Sequence, residues 1–450
     1  MFGLDFFCDI ICLMNTKTLK QIYSKEYLIL ISIGFLPLIW KVLEITFLST
    51  FDNALKILGQ IALINIIFKV FSESILNPLY KLLGNNNFCS QNDKNYLAKK
   101  FLIVYFALTI LFTALLFFVA EPLMQISKVP LHIFNQTIDF LKIYIIACGF
   151  EIIANYLYTF NIINKNTRKM FVYLLIKAVL TALCFIVFVP NFTLKLGVNG
   201  IAISNIIVNV CITIYLLATF PKSQKTTIKL NAKQYLKLFL FATLETLTRN
   251  AVYYCVILVF LNMLNNQDLY FVANEYIWSI MLVPVLAQST LIKQDIANNP
   301  NFSIKPYFLN CILLCVFMVL LIPISLFVFR FVYNLNNFMD YFLVLLKLLP
   351  CYFVFVFDSV IEALFFATGK LHHILIQTII TNILIYLTAF VLYLCNVFTI
   401  TLNSIILLFN LGVVVSSAYT ICVYLIINKK HKKQLIQKPQ LLNKRSNNCD

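Results

Sequence analysis

The chain is 450 residues long, 61% hydrophobic and 12% charged, with mean hydropathy +0.88 and a formal net charge of +17. A soluble domain carries about 25% charged residues, so that class is excluded, and apolar runs of about twenty residues, enough to cross a bilayer, recur from end to end. A β-barrel would alternate in segments of about ten residues, and a nucleic-acid reader would gather its basic residues on one module. Neither pattern is present. The composition predicts an all-α, multi-pass membrane protein.

Residues 1–26 precede the first span. Met1–Met14 is apolar but holds Asp5 and Asp9 and lacks a basic leader, so it does not read as a signal peptide. It reads as an interfacial segment, or as residues ahead of a start at Met14. Breaks at charged, Asn-rich and Pro-containing segments then predict twelve spans. They are 27–50, 54–79, 99–120, 133–162, 169–190, 196–220, 234–262, 269–292, 306–331, 338–367, 373–396 and 400–427.

The first span carries Glu44, with Lys41 three residues earlier on the same helix face. A charge at the bilayer centre costs at least about 2.5–3.5 kcal/mol, so such groups face a cavity or a partner. Glu44 is therefore either a protonatable group or half of a self-neutralising pair. Lys69 and Glu73 of the second span are an i, i+4 pair and read as structural. The fourth span holds Glu151 and the fifth Lys177.

In the seventh span Glu245 has Arg249 at i+4 and Thr243, Thr246 and Thr248 close by. That set suits a switched ion pair, with cation binding at the acid releasing the arginine; the alternative is a permanent salt bridge. Asn274, Glu275 and Tyr276 of the eighth span offer oxygen ligands that could complete a site with Glu245 and Asp358, or make ordinary interhelical hydrogen bonds. Cys311 and Cys315 are four apart in the ninth span, but no histidine joins them, so they do not read as a metal site. Asp358 in the tenth span has no basic neighbour three or four residues away, and Glu362 follows at i+4. Two like charges close together in a low dielectric favour holding a proton between them. His372 and His373 fall in the next loop and read as solvated.

Charge distribution sets the orientation. One set of loops, with the tail, holds 25 of the 35 Lys and Arg residues, and the alternate loops hold four. By the positive-inside bias both termini are cytoplasmic. The spans divide into lobes 27–220 and 234–427, joined by the basic linker 221–233. Glu44 and Glu245 take equivalent places in the two halves, as do Glu151 and Asp358. Six plus six in the same orientation predicts parallel repeats, with substrate bound at the repeat interface. The tail 428–450 is basic and without periodicity, and is expected to be disordered against the anionic inner leaflet.

No Walker motif, paired-glycine loop or nucleophile–histidine constellation is present, so an enzyme is not expected. No cofactor is expected beyond H⁺ or Na⁺ as a coupling ion, the latter at Glu245 and Asp358.

The motifs resemble those of the multidrug and toxic compound extrusion (MATE) transporters, of the multidrug/oligosaccharidyl-lipid/polysaccharide exporter superfamily. The resemblance covers about residues 27–428. KVLEITFL is similar to the family's first-span acid motif at Glu44, with Glu where Asp is usual. ATLETL matches the seventh-span Glu at Glu245, and FDSVIEALFFATGKLHH the tenth-span Asp at Asp358. Residues 120–179 resemble the third-to-fifth-span region, and LGVNGIAISNIIVNV, with Gly197 and Gly200, the sixth span. The chain departs from the family in having only nine glycines and in placing Lys41, Lys177 and Arg249 within spans.

The resemblance implies a V of two six-helix lobes in the inner membrane, exporting organic cations against Na⁺ or H⁺ entry. The ion site would lie at Glu245, Asp358 and Glu44. Auxiliary candidates from the residues themselves are Lys41, Arg249, Glu275, Tyr276, Glu362 and Glu151. Expected partners are a small-molecule substrate and membrane lipids, with no nucleic acid, and the chain is expected to act as a monomer. Two alternatives stay open: a lipid-linked saccharide flippase, with Lys41, Lys177 and Arg249 on a pyrophosphate, and a degenerate protein whose buried charges only pair with one another.

Overall fold

The computed structural model describes residues 22–48, 51, 57, 62–84, 90–126, 129, 131–190, 193–226, 232–252, 256–257, 259–264, 267–299, 303–333 and 335–446. Side chains at 41–47, 62–63, 126, 131, 232, 234, 259, 262, 267 and 430–446 lie outside that description. Glu44 and Lys41 therefore have a place on a helix but no described side chain.

The described residues form twelve principal helical segments in the order predicted, with a further short helix at Val259–Asn262 after the seventh. The N-terminal six are α1 (Lys25–Leu48), α2 (Ala62–Leu82), α3 (Gln91–Ile126), α4 (Leu131–Ile163), α5 (Thr167–Phe188) and α6 (Gly197–Ala218). The C-terminal six begin with α7 (Ala232–Val252) and the two-part α8 (Gln267–Tyr276 and Val283–Asn298). They continue with α9 (Lys305–Phe327), α10 (Phe338–Thr368), α11 (Leu371–Thr381, continued by Thr388–Leu394) and α12 (Leu402–Ser446). Among the described residues seven helices are long and apolar enough to cross a bilayer, or eight when the two parts of α8 count as one span. Outside that set are α1, α2, α4 and α7, of which α2 and α7 carry Lys69, Glu73, Glu245 and Arg249.

Packing repeats between the halves. The pairs α1–α5, α2–α4, α3–α4, α4–α6 and α5–α6 recur as α7–α11, α8–α10, α9–α10, α10–α12 and α11–α12. The lobes meet reciprocally: α1 of one half packs on α8, the second helix of the other, and α7 packs on α2. Each lobe thus presents its first two helices to its counterpart, as the parallel-repeat reading requires. One end of the molecule gathers the loops read as basic. There Gln91 donates to Asn164 at 3.4 Å, and Asn92 pairs with the backbone of Gln224 in the linker.

Local sequence accounts for two features that position the site. Pro284 lies in the first turn of the second part of α8, after a π-helical turn at Ile277–Met281, and the helix bends by 50° there. A proline removes a helical donor and its ring crowds the preceding turn, which is where kinks arise. Gly369 ends α10 with φ +75°, its N–H reaching Phe366 O and that of Lys370 reaching Phe365 O. Left-handed backbone is the usual glycine stop for a helix. It turns α11 back along α10, bringing Gln377 to Glu362 at 3.1 Å.

The tail differs from expectation. Rather than ending near residue 428, α12 continues through the basic stretch to Ser446. Lys, Gln and Leu dominate that stretch and are strong helix formers, so a helix already nucleated in the span propagates through it despite Pro439, which lacks an N–H for the ladder.

Candidate ion and substrate site

Two cavities meet at the seam between the lobes. The larger, about 1180 Å³, is enclosed by α1, α2 and α4 on one side and α8 on the other. Its acids are Glu73, Glu151 and Glu275, and its rings include Phe68, Tyr144, Tyr158, Phe271 and Trp278. The smaller, about 370 Å³, lies largely within the C-terminal lobe and is lined by Glu245, Arg249, Asp358 and Glu362. Lys69, Asn274 and Trp278 line both. The partition is hydrogen-bonded: Trp278 Nε1 donates to Tyr352 Oη at 2.8 Å, and Tyr352 Oη donates to Asn274 Oδ1.

Asp358 is 2% exposed. Its Oδ2 accepts from Ser417 Oγ of α12 at 3.0 Å, while Oδ1 has no hydrogen-bond partner among the described residues. Glu245, also 2% exposed, repeats the arrangement: Oε2 accepts from Thr246 Oγ1 at 3.1 Å and Oε1 accepts no hydrogen bond. Glu362 is within electrostatic reach of both acids, and Gln377 ties its Oε1 to Ser416. Two buried carboxylates, each with an oxygen that accepts no hydrogen bond, are costly in a membrane interior unless a proton or cation neutralises them.

Arg249 is the cation paired with Glu245 at this site. Its Nη2 donates to Glu73 Oε2 of α2 at 2.8 Å, across the seam and 176 residues away in sequence. Its Nε stands 3.5 Å from Glu245 Oε1, an ion pair without a hydrogen bond. Lys69 stands 3.9 Å from the other oxygen of Glu73.

The structure thus brings Glu245, Arg249, Asp358 and Glu362 into one cavity. Glu151 lies instead in the larger cavity, 3.7 Å from Lys177. Glu275 also lines the larger cavity and is not among the residues of the smaller one. Tyr276 does not join either. It is fully buried on the opposite face of α8, its hydroxyl donating to Leu321 O at 3.0 Å and its ring against Phe329. Glu73 was missed by reading the sequence, because Lys69 at i−4 already explained its charge. Among the described residues no group of three or more His, Cys, Asp or Glu side chains is placed to hold a metal ion. The oxygens of Asp358, Glu245, Glu362, Ser416 and Thr381 in the smaller cavity are hard donors that suit an alkali cation.

No family model matches the chain, and no curated protein matches it in sequence. Solved structures do. The chain aligns with a mutant of the Vibrio cholerae MATE transporter VcmN at TM-score 0.75 and 15% identity, over 92% of this chain and 97% of that one. It aligns with a MATE protein in the bent conformation at TM-score 0.74 and 14% identity, over 93% and 96%. The chain has the MATE transporter fold. A Pyrococcus furiosus transporter of the MOP superfamily aligns at TM-score 0.72 and 14% identity, over 90% and 94%; the reverse polarity of its binding pocket suggests a different function for that protein. The twelve-helix, two-lobed V of the MATE fold is therefore shared.

Proposed function

We propose that the protein is a secondary active antiporter that exports small amphipathic or cationic compounds, driven by entry of H⁺ or Na⁺. The observation that carries this reading is the pair Glu245 and Asp358. They come from different helices, are buried in one cavity, and each keeps a carboxylate oxygen without a hydrogen bond. The cation would sit between them and Glu362. The substrate would occupy the adjoining cavity, where Glu73, Glu151 and Glu275 supply negative charge and the rings supply faces for a cation. The volume accommodates a drug-sized molecule. Export would proceed by rocking of the lobes, cation and substrate favouring opposite states through their differential affinity. One chain supplies both lobes and both cavities, which favours a monomer, and the Lys and Arg bias of the loops favours cytoplasmic termini in an inner membrane.

The flippase reading draws less support. Of the span cations it relies on, Lys177 is paired with Glu151, and Arg249 with Glu73 and Glu245.

The test is efflux of a fluorescent organic cation from proteoliposomes under imposed Na⁺ and pH gradients. Wild type should export under one gradient and Asp358→Asn should not, at equal reconstitution. Export by Asp358→Asn with unchanged ion dependence would overturn the assignment. No export by wild type under either gradient would move the weight to lipid-linked saccharide transport.

A further inference from the structure

Arg249 has two carboxylates within reach, and they belong to different lobes. The nearer and properly hydrogen-bonded one is Glu73 on α2, at 2.8 Å; Glu245, one turn away on its own helix, stands at 3.5 Å. The consequence falls on Glu245. Its Oε1, buried and without a hydrogen bond, is the atom that Arg249 would take if Glu73 were absent. Helices α2 and α7 form one of the two reciprocal seams between the lobes, so the distance from Glu73 to Arg249 changes whenever the lobes move apart there. The other charged groups facing this point do not substitute for Glu73. Glu362 is held by Gln377. Lys69 stands 3.9 Å from Glu73, and Lys293 of α8 lies over the rings of Phe366 and Tyr80.

We propose that Glu73, contributed by the N-terminal lobe, sets the cation affinity of the C-terminal acid pair by taking the hydrogen bond of Arg249 and so keeping its hold on Glu245 loose. The inference rests on the reading of Glu245 and Asp358 as the ion site. With the α2–α7 seam closed, Arg249 gives its hydrogen bond to Glu73 and holds Glu245 Oε1 only by the looser 3.5 Å ion pair, so a cation can compete for that oxygen. With the seam parted, the guanidinium falls onto Glu245 and competes with the cation for the same oxygen. Cation binding and seam closure then favour each other by the same factor, as linkage requires. Glu73 is a positioning residue: it acts on the site through Arg249 and need not touch the ion.

The test reads binding rather than transport. The chain has two tryptophans, Trp40 and Trp278, and Trp278 borders both cavities. In a Trp40→Phe background, Trp278 emission reports cation binding in nanodiscs, with Na⁺ and H⁺ as the two probes. Glu73→Gln should raise the half-saturating cation concentration about tenfold, within the range usual for coupling between sites. Adding Arg249→Gln should bring it back to the wild-type value or below, which a merely structural role for Glu73 would not do. Glu73→Asp, which keeps the charge but shortens the reach, should give a smaller shift and serves if the glutamine variant does not fold.

An unchanged midpoint in Glu73→Gln or, in its place, Glu73→Asp overturns the proposal, as does a shift that Arg249→Gln does not reverse. In those cases a response abolished by Asp358→Asn leaves the ion site standing. No response of the wild type to either cation overturns the ion site and the proposal together.

Discussion

Tyr352 joins two groups that have few alternatives. It accepts from Trp278 Nε1 and donates to Asn274 Oδ1 at the partition between the cavities. Tyr352→Phe keeps the ring and strips both bonds, leaving polar atoms short of partners at a cost of about 1–3 kcal/mol. The expected result is a lower thermal midpoint in detergent and altered Trp278 emission; an unchanged midpoint would mean that water replaces the hydroxyl. Individual residues were legible where a charge interrupted an apolar run, Asp358 without a local partner and Glu245 with Arg249 one turn on. Glu245 and Asp358 stand out because an acid in an apolar run is visible in one dimension. Glu73 was hidden because Lys69 neutralised it on paper, while its hydrogen-bonded partner lies 176 residues away. Glu275 and Tyr276 were read as one polar patch, yet adjacent helical residues point about 100° apart. One faces the cavity and the other the core of the lobe.

Elements were legible as spans and illegible as shapes. Reading the apolar runs together with the breaks between them placed the helices in order, although by length and apolarity seven of the described helices, or eight counting α8, fit a bilayer. It could not show that α8 bends by 50° or that α11 contains a π-helical stretch at Asn382–Leu387, since both lie within continuous apolar runs. The turn after α10 shows how much one residue decides. Gly369 has φ +75°, and a Cβ there would lie 2.9 Å from Lys81 Cγ on α2. Gly369→Ala should cost about 1–2 kcal/mol from the left-handed backbone, with a further contribution wherever Lys81 cannot move. The expected readout is a lower thermal midpoint together with weaker cation dependence, because the turn holds Gln377 against Glu362. A stable variant with wild-type cation dependence would show that α11 finds its register without the glycine.

At the scale of the molecule, the repeat was legible from the spacing of its acids, but the device that closes one end was not. The last carbonyls of α4, which no residue of their own helix can satisfy, are capped from the other lobe. Gln294 Nε2 donates to Ile162 O at 2.7 Å and Asn298 Nδ2 to Ile163 O at 2.9 Å. Beside them Lys165, in left-handed backbone at φ +54°, pairs with Asp295, which also accepts from Tyr307 Oη at 2.6 Å. Gly84 lets α2 approach closely enough that a Cβ would sit 2.5 Å from Ala297 O. Each bond is worth about 1 kcal/mol, and an exposed ion pair less, so the set is strong enough to bias a rocking motion and weak enough to release. Gln294→Ala with Asp295→Asn should therefore lengthen the distance between spin labels at Arg168 and Lys305, both exposed at that end. Restoring Asp295 alone should recover part of the closed population. An unchanged distance distribution would mean that apolar packing of α1, α2 and α4 on α8 holds this end, and that the polar contacts follow the closure rather than bias it.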